Sequence, residues 1–230
     1  MYYPIGDIHG DYENARRLYD RIIEEIDAGI DPAFGGTIVF LGDYIDRGPD
    51  SKRVMDFVMG LEDRENVKHI FLKGNHEDFM TYCRHNPRDY KTMDMWQFHG
   101  GEETLAAFGV TVGEFYAGAL DKYVEWIDAL PLIAHDPDYV FVHAGIDPNI
   151  PLAQQNAHDM MWEFHRDPET YTDYRKIVIH GHSMKKGGPI IALRKNRIYM
   201  DNGMNLFHDP ATVCLPEPYE PGVYLKVLRP

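Results

Sequence analysis

The sequence is nearly devoid of cysteine: Cys83 and Cys214 are the only two among 230 residues. That excludes a disulfide-stapled framework and a thiolate zinc site, both of which need more sulfur. Basic residues are also scarce, with 23 Lys and Arg against 37 Asp and Glu, for a net charge of −14. A surface of that sign repels nucleic acid and anionic membranes, so neither is expected as a partner. No apolar run has the length of a membrane span. Lys185-Lys186-Gly187-Gly188 lacks the Walker spacing and reads as an exposed turn. There is no internal repeat, low-complexity tract or linker. The chain passes from Met1-Tyr2-Tyr3-Pro4 directly into its first motif, which leaves no room for a signal peptide, so the expected location is cytoplasmic.

What remains is an ordinary globular composition, 44% hydrophobic and 26% charged, at a length that suits a single domain over residues 1–230. Its periodicity alternates. After a short apolar start, Asp11 can cap a helix carrying Ala15, Leu18, Tyr19, Ile22, Ile23 and Ile26 on one face. A strand over Thr37–Leu41 follows, then a helix opened by Asp50-Ser51, then a strand over Lys68–Leu72 and a helix starting near Glu77. Alternation of this kind predicts a parallel or mixed sheet covered by helices.

From about Asn86 to Pro131 the alternation breaks into a helical insertion. A short helix is expected over Glu102–Phe108 and a longer one carrying Leu120, Tyr123, Val124, Ile127 and Leu130, with Trp96, Phe98 and His99 in irregular chain. The sheet resumes at Tyr139–Val142 and Ile177–Ile179. Four short runs, Ile190–Leu193, Arg197–Met200, Thr212–Leu215 and Val223–Leu228, read as an antiparallel set.

Five apolar runs end in residues able to ligate a metal. Asp7 and His9 follow the first, Asp43 and Asp46 the second, and Asn75 and His76 the third, while His143 and His182 close the last two. Strand ends suit a site, because a rigid sheet fixes ligands while short loops carry variation. Mixed carboxylate and imidazole donors suit Mn, Fe and Zn. Two such cations about 3.5–4 Å apart can hold a bridging hydroxide and clamp a phosphate, which is what phosphate ester hydrolysis requires. Singly, each aspartate could be a helix cap or a turn residue; their shared placement argues for a two-metal hydrolase.

Gly6-Asp7-Ile8-His9-Gly10, Gly42-Asp43-Tyr44-Ile45-Asp46-Arg47-Gly48 and Gly74-Asn75-His76-Glu77 resemble the three signatures of the phosphoprotein phosphatase branch of the calcineurin-like metallophosphoesterases. His143-Ala144-Gly145 and Gly181-His182 resemble the two downstream ligand blocks, and Asp201-Asn202-Gly203 a weaker motif. The length and the Trp96–Gly109 segment look most like the small bacterial and phage members.

The resemblance implies a four-layer αββα sandwich with the helical insertion and C-terminal antiparallel strands. It implies that Asp7 and His9 bind a first metal, Asp43 bridges, and Asn75, His143 and His182 complete a second site, with Mn expected and Fe or Zn as alternatives. It implies that His76 is the general acid, oriented by Asp46, and that Arg47 and Asn75 contact the phosphate. Relatives place a second phosphate-binding arginine two residues after a tryptophan corresponding to Trp162, whereas Phe164 stands there in this chain. Either Arg166 enters the site instead or that contact is missing; Arg166 is the expectation. The favoured activity is hydrolysis of phosphoserine or phosphothreonine in protein. The alternative is hydrolysis of a dinucleoside polyphosphate such as diadenosine tetraphosphate, and a third reading is a metal-binding regulatory module without catalysis.

Overall fold

A computed structural model describes residues 1–29, 35–162, 175–184, 190–192, 196–203, 210–215 and 226–230. Strands β1 (Tyr2–Ile5), β2 (Gly36–Phe40) and β3 (Val67–Phe71) form a parallel sheet in the order β1-β2-β3. Helices α1 (Tyr12–Asp27), α2 (Ser51–Met59) and α3 (Asn75–His85) follow its strands in turn. A second sheet has the order β4-β5-β6-β8-β7, with β4 (Ile133–His135), β5 (Tyr139–Val142), β6 (Ile177–His180), β7 (Ile190–Ala192) and β8 (Arg197–Tyr199). Strands β9 (Thr212–Cys214) and β10 (Lys226–Leu228) pair with each other, and a bridge from Leu215 to Tyr2 ties them to the edge of the first sheet.

Strand alternation builds the layers. Tyr3, Ile5, Ile38 and Phe40 face Leu18, Ile22, Val54 and Val58 of α1 and α2 in one core. The intervening residues, Tyr2, Val39 and Leu41, face Tyr139, Phe141, Ile177, Ile179 and Ile198 of the other sheet. Val140, Val142 and Val178, on the far side of that second sheet, pack against Ile146 and Met160, the latter on α8 (Ala157–Met161). A period of two therefore sends each strand's apolar residues into two different cores, because both faces of both sheets are covered. The stack is helix, sheet, sheet, helix. Among the described residues, no helix is long and apolar enough to cross a membrane.

Several elements differ in detail from the sequence reading. Helix α3 begins at Asn75, not near Glu77: Gly74 is extended, and the Glu77 carboxylate accepts the Gly74 N–H at 3.0 Å, closing the first turn two residues early. The insertion contains two more helices than expected, α4 (Tyr90–Trp96) and α6 (Val112–Tyr116), beside α5 (Glu102–Phe108) and α7 (Asp121–Asp128). Trp96 ends α4 and is fully buried, so it does not lie in irregular chain. The four C-terminal strands do not form one set. β7 and β8 pair antiparallel, but β8 also joins β6 in parallel, while β9 and β10 pair separately. The start of the last run, 223–225, and the Lys185–Gly188 turn lie outside the described residues.

Candidate metal and phosphate site

Parallel pairing of β1, β2 and β3, and of β5 and β6, puts their C-terminal ends on one edge of each sheet, the edge where α/β proteins bind ligands. The two edges meet. The His182 amide donates to the Asp7 carboxylate at 3.1 Å, and His143 Nε2 lies 2.9 Å from Asn75 Oδ1. The approach is close at Gly181, where a Cβ would sit 2.1 Å from Asp7 Oδ1, so a larger residue would displace that carboxylate.

The loops that make this junction hold strained backbone. His9, Asp43, Asp46, Arg47 and His182 have φ between 47° and 72°, the left-handed region, where a residue with a Cβ costs about 1–3 kcal/mol. The only other non-glycine residue there among the described residues is Asn196. Glu77 supplies part of the compensation. Its buried carboxylate accepts the amides of Asp43 at 2.7 Å, Tyr44 at 2.8 Å and Ile45 at 3.3 Å, besides that of Gly74. Burial pushes its carboxyl up to about 7. Glu77 stands inside the third motif, yet the sequence reading assigned it no role.

The imidazoles present lone pairs to a common centre. His9 Nδ1 donates to the Ile45 carbonyl and His143 Nδ1 to the Leu41 carbonyl, both at 2.9 Å, so each Nε2 is left as an acceptor pointing inward. His9, His76 and His143 are held well below the usual histidine range, first by burial, and next by a neighbouring basic group that would repel a second positive charge: His76 at His9, Arg47 at His76, His182 at His143. Burial drives Asp7 and Asp43 the other way, well above the usual carboxylate range; Asp201 adds to this at Asp7, and Asp7 and Glu77 at Asp43.

Two overlapping groups emerge, His9–Asp43–His76 and Asp43–His143–His182. In each, the ligating atoms all lie within 4.8 Å of one another. Asp43 belongs to both. Asp7 Oδ2 is 3.9 Å from His9 Nε2, and Asn75 Oδ1 is 3.0 Å from His182 Nδ1. Buried carboxylates facing neutral imidazoles make a donor set that divalent cations satisfy, and the residues fit such ions. Arg47 reaches over this centre, with Nη1 at 2.8 Å from His9 Nε2 and Nη2 at 3.0 Å from His76 Nε2.

His76 Nδ1 donates to Asp46 at 2.7 Å, and Asp46 is itself held by residues that sequence reasoning missed. Trp96 Nε1 donates to Asp46 Oδ2 at 2.9 Å and Thr104 Oγ1 to Oδ1 at 2.6 Å, while Ser51 Oγ accepts the Asp46 amide at 3.1 Å. Burial pushes the Asp46 carboxyl up to about 7 despite these donors. Trp96 and Thr104 come from the insertion, which is fastened to the site at Gly100. That residue has φ 116°, and a Cβ there would meet the Arg47 amide nitrogen at 2.3 Å. No spacing rule relates Trp96 or Thr104 to Asp46, 50 and 58 residues earlier; the two glycines Gly100-Gly101 between them were the available signal.

Beside Arg47 the insertion opens a cleft of about 580 Å³ lined by Gly48, Pro49, Gln97, Phe98, His99, Glu102 and Glu103. Trp162 is not in its lining: its indole donates to Asp78 at 3.1 Å and its ring meets Phe79 edge-on at 4.7 Å, behind His99. Phe164 and Arg166 lie outside the described residues. Thus Asp7, His9, Asp43, Asp46, Arg47, Asn75, His76, His143 and His182 converge, from segments up to 175 residues apart.

A sheet sandwich with carboxylates, imidazoles and an arginine gathered at its strand ends is the framework of a metal-dependent phosphoric ester hydrolase. The chain belongs to the calcineurin-like phosphoesterase family, which it matches over residues 4–223. It is 31% identical over 179 residues to the asymmetrical bis(5'-nucleosyl)-tetraphosphatase PrpE of Bacillus subtilis, covering 75% of this chain and 69% of that protein. It is 32% identical to the symmetrical bis(5'-nucleosyl)-tetraphosphatase of Aeromonas hydrophila, over 63% of this chain but 44% of that protein, so it spans less than half of that relative. Among solved structures, a putative diadenosine tetraphosphatase shares the fold with a TM-score of 0.62 at 16% identity, covering 99% of this chain and 92% of that one. A serine/threonine phosphatase of Saccharomyces cerevisiae does so with a TM-score of 0.64 at 17% identity, covering 99% and 78%.

Proposed function

We propose that this chain hydrolyses dinucleoside polyphosphates, with two cations held by Asp7, His9, Asp43, Asn75, His143 and His182. The observation that carries the substrate is the relatives at 31% and 32% identity, both named tetraphosphatases of dinucleosides. Bound cations of this kind neutralise phosphoryl oxygens and supply a nucleophile from water at neutral pH. Asp43 stands in both groups able to hold a cation and would be shared by the two. Manganese is the expected ion, with iron or zinc as alternatives.

Arg47 grips the phosphoryl oxygens with its planar, permanently charged fork, and Asn75 adds a donor. In the structure the two outer nitrogens of Arg47 occupy His9 and His76. A phosphate drawing those donors away leaves His76 Nε2 able to carry a proton to the departing oxygen. Asp46, accepting from Nδ1, stabilises the ring in its doubly protonated, cationic form, which becomes neutral as the Nε2 proton leaves. Hydrolysis adds water across one P–O bond, and the proton at Nε2 ends on the leaving group.

Hydrolysis of phosphoserine or phosphothreonine in protein is the second reading, favoured by the Gly42–Gly48 pattern. One assay with Mn²⁺ separates the readings on three substrates: diadenosine tetraphosphate, a phosphothreonine peptide and an aryl phosphate. The expected result is the highest kcat/KM on the dinucleotide. Preference for the peptide moves the chain to the second reading, and no turnover with metal bound makes it a regulatory module.

A further inference from the structure

The cleft beside Arg47 contains a feature that phosphate chemistry does not use. Phe98 at its edge is 87% exposed, the most exposed large hydrophobic side chain among the described residues. Burying such a ring against apolar surface would lower the free energy, and the fold leaves it in water.

Its position is fixed relative to the phosphate clamp. Phe98 lies in the widened turn Gln97–Gly101, and the Gly100 carbonyl accepts the Arg47 amide at 3.4 Å. His99 continues the aromatic edge inward, stacked on Phe79 with centroids 6.0 Å apart and meeting Phe98 edge-on at 5.4 Å. Around these rings the cleft carries the Gln97 amide and the carboxylates of Glu102 and Glu103. Those carboxylates disfavour a second anionic group in this cleft and favour an uncharged moiety rich in O–H and N–H donors.

We infer that this cleft is the nucleoside subsite of the polyphosphate substrate: the base stacks on Phe98, and the ribose hydroxyls and base amine donate to Glu102, Glu103 and Gln97, while Arg47 takes the adjacent phosphate. This rests on the dinucleotide reading above, and adds where the nucleoside sits. Stacking on an aromatic ring tolerates any base, since every base has a π face. The subsite therefore selects for a nucleoside and discriminates little between purines.

The test compares inhibition of aryl phosphate hydrolysis by adenosine 5'-monophosphate and by inorganic phosphate. The ratio of the two constants on one variant cancels any general loss of activity. In the unaltered chain the nucleotide should inhibit about tenfold more tightly or better, the range of one base–aromatic stack. Phe98→Ala should bring the ratio towards one, and Phe98→Trp should restore it. Saturation transfer from the protein to the adenine protons of free adenosine, lost in Phe98→Ala, gives the same answer without turnover. A ratio that Phe98→Ala leaves intact overturns the subsite, even if diadenosine tetraphosphate is cleaved. A ratio that collapses as expected upholds it, even if the dinucleotide proves a poor substrate and the reading above fails.

Discussion

The strand-end loops and the helical insertion meet at one site, but they were built under different rules. The loops carry His9, Asp43, Asp46, Arg47 and His182 on left-handed backbone, and each reacting group is presented within a few residues of a strand. The insertion carries no candidate ligand. It supplies Trp96 and Thr104, which reach Asp46 through 2.9 and 2.6 Å hydrogen bonds, and the turn that rests on Arg47. The loops thus hold the proposed reacting groups, and the insertion holds the loops and shapes the approach to them. Strain stored in the loops persists only because surrounding contacts over-determine it, and Glu77 and the insertion provide those contacts.

This division can be broken by substitution. His76→Asn removes a proposed reacting group, presented at the start of α3 just past β3, and should lower turnover by about a hundredfold to ten-thousandfold with metal content unchanged. Steady-state kinetics beside elemental analysis checks this, and unchanged turnover removes His76 from the acid role. Asp43→Asn should instead lower metal affinity by more than about a hundredfold, since a ligand of both groups loses its charge. Equilibrium dialysis showing both sites filled as before would refute the bridging role.

The insertion should have a smaller and different effect. Trp96→Phe keeps the buried ring but removes the donor to Asp46, and should cost about tenfold in kcat with metal content and KM preserved, near the value of a hydrogen bond to a charged group. The loss should be greater on an alkyl phosphate, whose leaving oxygen needs its proton early, than on an aryl phosphate. An equal loss on both would leave Trp96 with a packing role only.

The smallest effect is a pH dependence of the metal-stripped chain. Asp46 and Glu77 are raised to about 7, and Asp7 and Asp43 well above the usual carboxylate range, so the folded chain keeps protons that an unfolded chain sheds near the ordinary carboxylate values of 3.8 and 4.5. The depressed histidines act oppositely, most strongly below their unfolded value of 6.5 and fading over about one pH unit above it. Above that value the carboxyl groups increasingly set the slope, and stability falls as pH rises through about 7. Thermal midpoints of the stripped chain should drop between pH 6.5 and about pH 8, while the metal-loaded chain, with charge replacing the protons, should hold steady. A rising midpoint for the stripped chain would contradict this assignment.

The same contrast explains what could be read from the sequence. Each candidate ligand follows a short apolar run that reads as a strand, so Asp7, Asp43 and His143 could be placed at strand ends from the sequence. The layer order was legible only through family resemblance, because continuous runs such as Tyr139–Val142 do not say which face meets which sheet. The partition of the C-terminal strands was not legible, since β8 satisfies β6 on one side and β7 on the other, and short strands carry no mark of parallel pairing. Trp96 and Thr104 were invisible for a related reason. A donor that matters through one contact to a residue 50 or 58 positions away leaves no local pattern.

The most direct test of the account is a titration of the metal-stripped chain with Mn²⁺, following bound metal and turnover together. Two ions per chain are expected, with full turnover reached only when the second is bound. Full turnover with one ion or none would contradict it.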